Sequence, residues 1–149
     1  METGKVLMLY MTMPDMMRSG HRMVCDDIEC DEDGIFGDVN YESGSEHVLL
    51  LVSKKSYDII EEADLFFDKG LLMENIYVDI DINHLKKVSV IQIGNTLFEV
   101  TGSCQAYNFL YKFAPELPEL LQNKRGIFVT PMEHAVITIG NEVKIIESA

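Results

Sequence analysis

The chain has 149 residues, 25 acidic against 12 basic, and a formal net charge of −13. That length suits one domain with a real core, so residues 1–149 are read as a single domain. A field this negative argues against nucleic acid and anionic membrane surfaces as partners, and it disfavours a phosphate-bearing ligand unless a few basic residues converge on one site.

Cysteines number three, at Cys25, Cys30 and Cys104. An odd count in a chain that needs no stapling fits a reducing compartment, so a cytoplasmic protein is expected. No apolar run reaches bilayer length, and the VLMLYMTM run lacks a basic leader and a cleavage site.

Lys5 to Met13 is an apolar run that reads as a strand, ended by Pro14-Asp15. Residues 16–22 read as a loop, in which Arg18, His21 and Arg22 form one of the few basic patches. The segment from Cys25 to Asp33 is read as an acidic surface loop. Its two cysteines lack a second pair at zinc-site spacing. Gly34-Ile-Phe-Gly-Asp38 permits a tight chain path, with Asp38 able to cap exposed N–H groups.

His47 to Val52 reads as a strand and Ser53 as a helix cap. Ile59, Ile60, Ala63, Phe66 and Phe67 fall on one face, which predicts a helix over Lys54 to Phe67. Gly70 to Asn75 leads into a strand from Ile76 to Ile80, and His84 falls in a surface turn. Two hairpins are expected, one around Gly94-Asn95 and one around Gly140-Asn141. Between them lie a helix over Ala106 to Phe113, a short one over Glu119 to Gln122, and a strand from Ile127 to Thr130. Pro131 then confines that strand to an end or an edge. Strands outnumber helices. The fold class is mainly β, a closed or nearly closed β-barrel with a few peripheral helices.

Cys104 is the candidate chemical centre. It follows the strand that ends at Thr101-Gly102-Ser103 and precedes the aromatic run AYNFLYKF. A helix starting there would favour its thiolate. The alternative is a small apolar residue filling a corner. Nucleotide-phosphate glycine loops and the GxSxG elbow are absent from the sequence. A Cys–His pair of Cys104 with His47 or His134 is open to test in three dimensions.

In order and spacing, several of these pieces resemble the MOSC family, the domain named after the molybdenum-cofactor sulfurase C-terminal region, in its small stand-alone bacterial form. They are GKVLMLYM from Gly4, GIFGD at Gly34 to Asp38, HVLLLVSKKSYDII, GLLMENI at Gly70 to Ile76, VIQIGNTLFEVTGSC, and RGIFVTPMEHAVITIGNEV. The resemblance implies a β-barrel that binds a molybdenum–pterin cofactor. It implies Cys104 as thiolate ligand of the metal, Glu74 and Asn75 near the pocket, Asp38 as a structural or pocket-edge residue, and Arg125 meeting the pterin or its phosphate. The activity implied is a molybdenum-dependent reduction of N-hydroxylated compounds, with a redox partner protein. A sulfur carrier holding a persulfide on Cys104, served by a sulfur donor, is the second function it implies. A barrel that only binds a partner is the third reading. A soft thiolate suits a thiophilic metal and must be deprotonated to bind it.

Overall fold

The structure, a computed structural model, describes residues 2–14, 22–45 and 49–149. Arg18, His21, His47 and most of the expected 16–22 loop lie outside the described residues.

Eleven strands are found among the described residues. They are β1 (Thr3–Met11), β2 (Met23–Cys25), β3 (Asp27–Asp31), β4 (Gly34–Ile35), β5 (Leu49–Ser53), β6 (Ile76–Val78), β7 (Val90–Ile93), β8 (Thr96–Ser103), β9 (Ile127–Pro131), β10 (Ala135–Thr138) and β11 (Glu142–Glu147). Seven of them, in the order β11-β7-β8-β9-β5-β6-β1, close on themselves through the β11–β1 pairing, and β2 extends the sheet from β1. Closure removes the free edges that an open sheet would expose. A second sheet, β10-β3-β4, sits against the barrel and sends Ile28, Cys30, Ile35, Ala135 and Ile137 into the same core.

The 25–33 segment is therefore not a surface loop. Asp27-Ile28-Glu29-Cys30-Asp31 alternates outward acids with inward apolar groups, which is the period of a half-buried strand. Its acidity masked that period. The second expected hairpin is also corrected: β10 pairs with β3 and β11 with β7 and β1. The Gly140-Asn141 turn thus passes the chain from the small sheet to the barrel.

Ser53 caps the helix α1 (Lys54–Glu62) as expected, its hydroxyl accepting from the Lys55 N–H at 3.0 Å. The helix stops short of Phe67. Asp64 takes a left-handed φ of 61°, and the N–H groups of Asp64 and Leu65 turn back to the carbonyls of Glu61 and Ile60. That closing motif satisfies the last carbonyls and releases residues 65–67 from the helix. The connection from α1 joins β5 to the parallel strand β6. β5 is buried on both faces, Leu49 and Leu51 inside the barrel, Leu50 and Val52 outside against Tyr57, Ile60 and Leu72. The short helix α2 (Leu117–Leu120) completes that outer layer.

Candidate functional site

A bulge in β8 decides where Cys104 goes. In its pairing with β9, Val100 faces Val129 but Gly102 already faces Phe128, so Thr101 is an extra residue. Side chains alternate along a strand, and one inserted residue exchanges the two faces. Val100 accordingly points into the barrel, whereas Cys104 packs outside it, with Leu50, Leu110 and Leu117. Without the bulge Cys104 would share the interior face of Val100.

Cys104 is 3% exposed and lines a cleft of about 1210 Å³ between the outer barrel wall and the 66–73 and 106–113 segments. This volume exceeds the roughly 300–1,000 Å³ of a typical small-molecule site. Its backbone N–H donates to the Gly126 carbonyl at 2.9 Å. The expected α-helix does not begin behind it: a 3₁₀ segment, Tyr107–Lys112, starts three residues later. The thiol is therefore not placed at an α-helix N-terminus. Among the described residues the other cysteines do not reach the cleft. Cys30 is wholly buried in the barrel core, and that burial, with Asp31 and Glu29 nearby, pushes its thiol up to about 12.

Arg125 stands beside Cys104 and is 3% exposed. Its two terminal nitrogens donate to the carbonyl oxygens of Ala106, at 2.7 Å, and Leu72, at 3.1 Å. It thereby ties the cysteine's own loop to the opposite wall. Its Nε is buried without a hydrogen-bond partner among the described residues, an orphan donor of the kind a ligand satisfies.

Asn75 also lines the cleft, but its side chain is committed to the frame. Its Oδ1 accepts from Leu50 N at 3.0 Å and its Nδ2 donates to Tyr10 O at 3.2 Å, joining β5 to β1. Asp38 lines the cleft edge, with its oxygens accepting from the N–H groups of Thr12 and Asn40 at 2.7 and 2.9 Å. Glu74 is different: at 0% exposure it lies behind the wall rather than in it. Its Oε2 accepts from Tyr57 Oη at 2.6 Å, while Oε1 has no partner among the described residues.

The cations do converge. Arg22, Lys69, Lys112 and Arg125 line this one cleft, against Asp38 and Asp68. Arg22 donates to the carbonyls of Glu74 and Gly70 and to the Thr12 hydroxyl. Burial lowers its pKa, and the charges of Glu74 and Asp38 oppose that shift. Arg125 spends its described hydrogen bonds on neutral oxygens, so its charge remains to attract an anion, whereas Arg22 already sits in the field of Glu74 and Asp38. In the sequence Arg22 reads as part of a loop patch, Phe67 as a helix-face residue, and Phe109 and Phe113 as members of an aromatic run, while Tyr57 carries no local mark. The meeting of Arg22 and these rings at one cleft is not legible locally, because tertiary folding assembles it from distant segments.

His134 and Cys104 do not come together. His134 pairs with Glu29 at 2.6 Å and lines a separate hollow of about 260 Å³ with Asp31, Glu32 and Glu133. His47 lies outside the described residues. Among the described residues no group of three or more His, Cys, Asp or Glu side chains is arranged to hold a metal ion. Nor is any described helix long and apolar enough to cross a membrane.

The chain is similar in fold to YuaD from Bacillus subtilis, with a TM-score of 0.76 and 17% identity, over 95% of this chain and 94% of that one. It is also similar to YiiM from Geobacillus stearothermophilus, with a TM-score of 0.73 and 13% identity, covering 97% of this chain and 75% of the other. YiiM from Escherichia coli gives a TM-score of 0.67 and 17% identity, over 97% and 71%. The architecture is a MOSC-like β-barrel. No family model matches the sequence, and no curated protein sequence matches it significantly. The likeness is thus one of fold, carried by strands and closure rather than by sequence identity.

Proposed function

We propose that this MOSC-like protein binds a molybdenum–pterin cofactor in the cleft, with Cys104 as its thiolate ligand. The observation that carries the reading is the exit of Cys104 from the barrel face into a roomy cleft lined by four cationic side chains. The donor set fits such a group. A single protein thiolate suffices for a metal that arrives with its own sulfur ligands, and it leaves positions open for oxygen and substrate. Arg125 would hold the pterin or its phosphate through the unpartnered Nε, and Arg22 would add charge from the other wall. Asn75 and Glu74 would act through the frame, Asn75 by joining strands and Glu74 by fixing Tyr57. When bound, the cofactor would supply oxygen-atom transfer and so the reduction of N-hydroxylated compounds. The chain's own part is to present one sulfur, exclude water around it, and neutralise the anion.

The test is metal analysis of protein purified from a cofactor-making host, beside the Cys104→Ser variant. Expected is molybdenum in the parent and its loss in the variant, with the variant still folded by circular dichroism and its melting temperature close to that of the cofactor-free parent. Molybdenum absent from both, with a persulfide mass gain on Cys104, would replace this reading with the sulfur carrier. Absence of both signals would leave only a binding barrel.

A further inference from the structure

Cofactor binding as proposed does not require the aromatic wall on the Cys104 side of the cleft. Phe67, Phe109 and Phe113 are half-buried and all line it. The Phe109 and Phe113 rings meet edge to face with centroids 5.3 Å apart, and Phe67 and Phe113 do so at 6.2 Å. The Lys112 ammonium lies 4.2 Å from the Phe109 centroid and 5.4 Å from that of Phe113, and the Arg125 guanidinium lies 5.3 Å from Phe109. Two backbone features bring these rings here. The early end of α1 releases Phe67, and the 3₁₀ segment turns Phe109 toward the cleft.

Three partly wetted phenylalanines around one opening are a surface that gains by being covered. Ring edges and faces favour a flat aromatic partner over a saturated one of equal bulk. Cations held at the rings favour a negative charge on that partner. The cleft also has a distinct polar side, formed by Tyr10, Thr12 and Arg22, and a volume beyond one small ligand. We propose that the wall of Phe67, Phe109 and Phe113 seats the substrate, a flat aromatic anion held by Lys112 beside Cys104. The proposal rests on the cleft being the reaction site, and it separates a substrate side from a cofactor side.

The experiment is calorimetric titration with 2-naphthoate, its saturated decahydro analogue and the neutral 2-naphthamide. Each is titrated into molybdenum-loaded protein of measured metal content, and into protein from a host that makes no cofactor. Naphthoate is expected to bind both forms, with the saturated acid and the amide each weaker by roughly 3- to 10-fold. Phe113→Leu should erase the preference for the flat ring, and Lys112→Met the preference for charge. Equal binding of the flat and saturated acids, an unchanged ratio in Phe113→Leu, or no naphthoate binding overturns the proposal. So does exclusion of naphthoate by the loaded metal site, which would assign the wall to the cofactor. The expected pattern in a protein that never loads molybdenum supports the aromatic subsite and refutes the cofactor reading alone.

Discussion

Tyr57 on α1 donates its hydroxyl proton to Glu74 across 2.6 Å, and the two side chains are sealed from solvent together. The same hydroxyl oxygen accepts the N–H groups of Gly70, at 3.0 Å, and Leu72, at 3.3 Å. Burial, and then the charge of Glu74, raise the Tyr57 pKa, which keeps the phenol a donor. One phenol thus holds the 70–72 loop, and that loop's Leu72 carbonyl receives Arg125. The frame behind the cleft runs from Glu74 through Tyr57 to the arginine beside Cys104.

Replacing Tyr57 by Phe strands Glu74 Oε2 and two buried N–H groups. Each orphaned group costs about 1–3 kcal/mol. Urea denaturation is expected to show a loss of at least about 3 kcal/mol, with hydrogen exchange quickening first at Gly70 and Leu72. Removing both partners, in Tyr57→Phe with Glu74→Leu, should cost less than the sum of the single changes. Strict additivity would show that the two groups are not coupled.

Arg125→Lys keeps the charge but leaves one nitrogen where two were bonding. A single ammonium cannot reproduce the planar fork that reaches both Ala106 and Leu72. The loop carrying Cys104 should open more often. Alkylation of Cys104 by iodoacetamide, followed by mass spectrometry, is expected to speed up about fivefold, the equivalent of one net hydrogen bond of ~1 kcal/mol. An unchanged rate would mean that the arginine does not hold this loop.

How far the sequence carried can be read from particular residues. The Gly94 hairpin, the Ser53 cap, the Asp38 cap and the strand-ending Pro131 rest on local chemistry, and each stands in the structure. The course of residues 65–67 is hidden because the closing turn falls on Asp64 rather than on a glycine, while the apolar period runs on to Phe67. The partners of β10 and β11 were illegible because a turn signal does not say which strands it joins. The position of Cys104 was legible along the chain but not in depth. The inserted Thr101 that moves it out of the barrel is marked only by the neighbouring Gly102, which reads as a strand end as readily as a bulge.

Gly126 is the backbone hinge under Cys104. It holds φ at 140°, and a Cβ there would lie 2.8 Å from the Leu51 carbonyl oxygen. Gly126→Ala should therefore cost on the order of 2–4 kcal/mol and displace the carbonyl that Cys104 N–H uses. Gly44→Ala is the control. Its φ of 81° is also positive, though nearer the left-handed helical region, and nothing lies within 4 Å, so only a backbone penalty of about 1–2 kcal/mol applies. Equal losses in chemical denaturation would show that the clash with β5 does not matter.

Alkaline stability should depend on Cys30. Its thiol titrates at about 12 in the fold, against 9.0 as the ordinary value, chiefly because burial disfavours the thiolate. The raised value means that the folded state holds its proton longer than the unfolded chain does. The contribution is therefore complete below pH 9 and is lost as pH climbs from there toward 12. Over that window one such group adds a slope of up to roughly 1.4 kcal/mol per pH unit. Tyr57 adds a similar slope from higher pH, so the informative quantity is the difference between the parent and Cys30→Val. Urea midpoints taken from pH 8 to 10.5 are expected to fall more steeply in the parent than in the variant, with the two curves parallel below pH 8.5. Parallel curves throughout would place the Cys30 thiol in contact with water rather than inside the barrel.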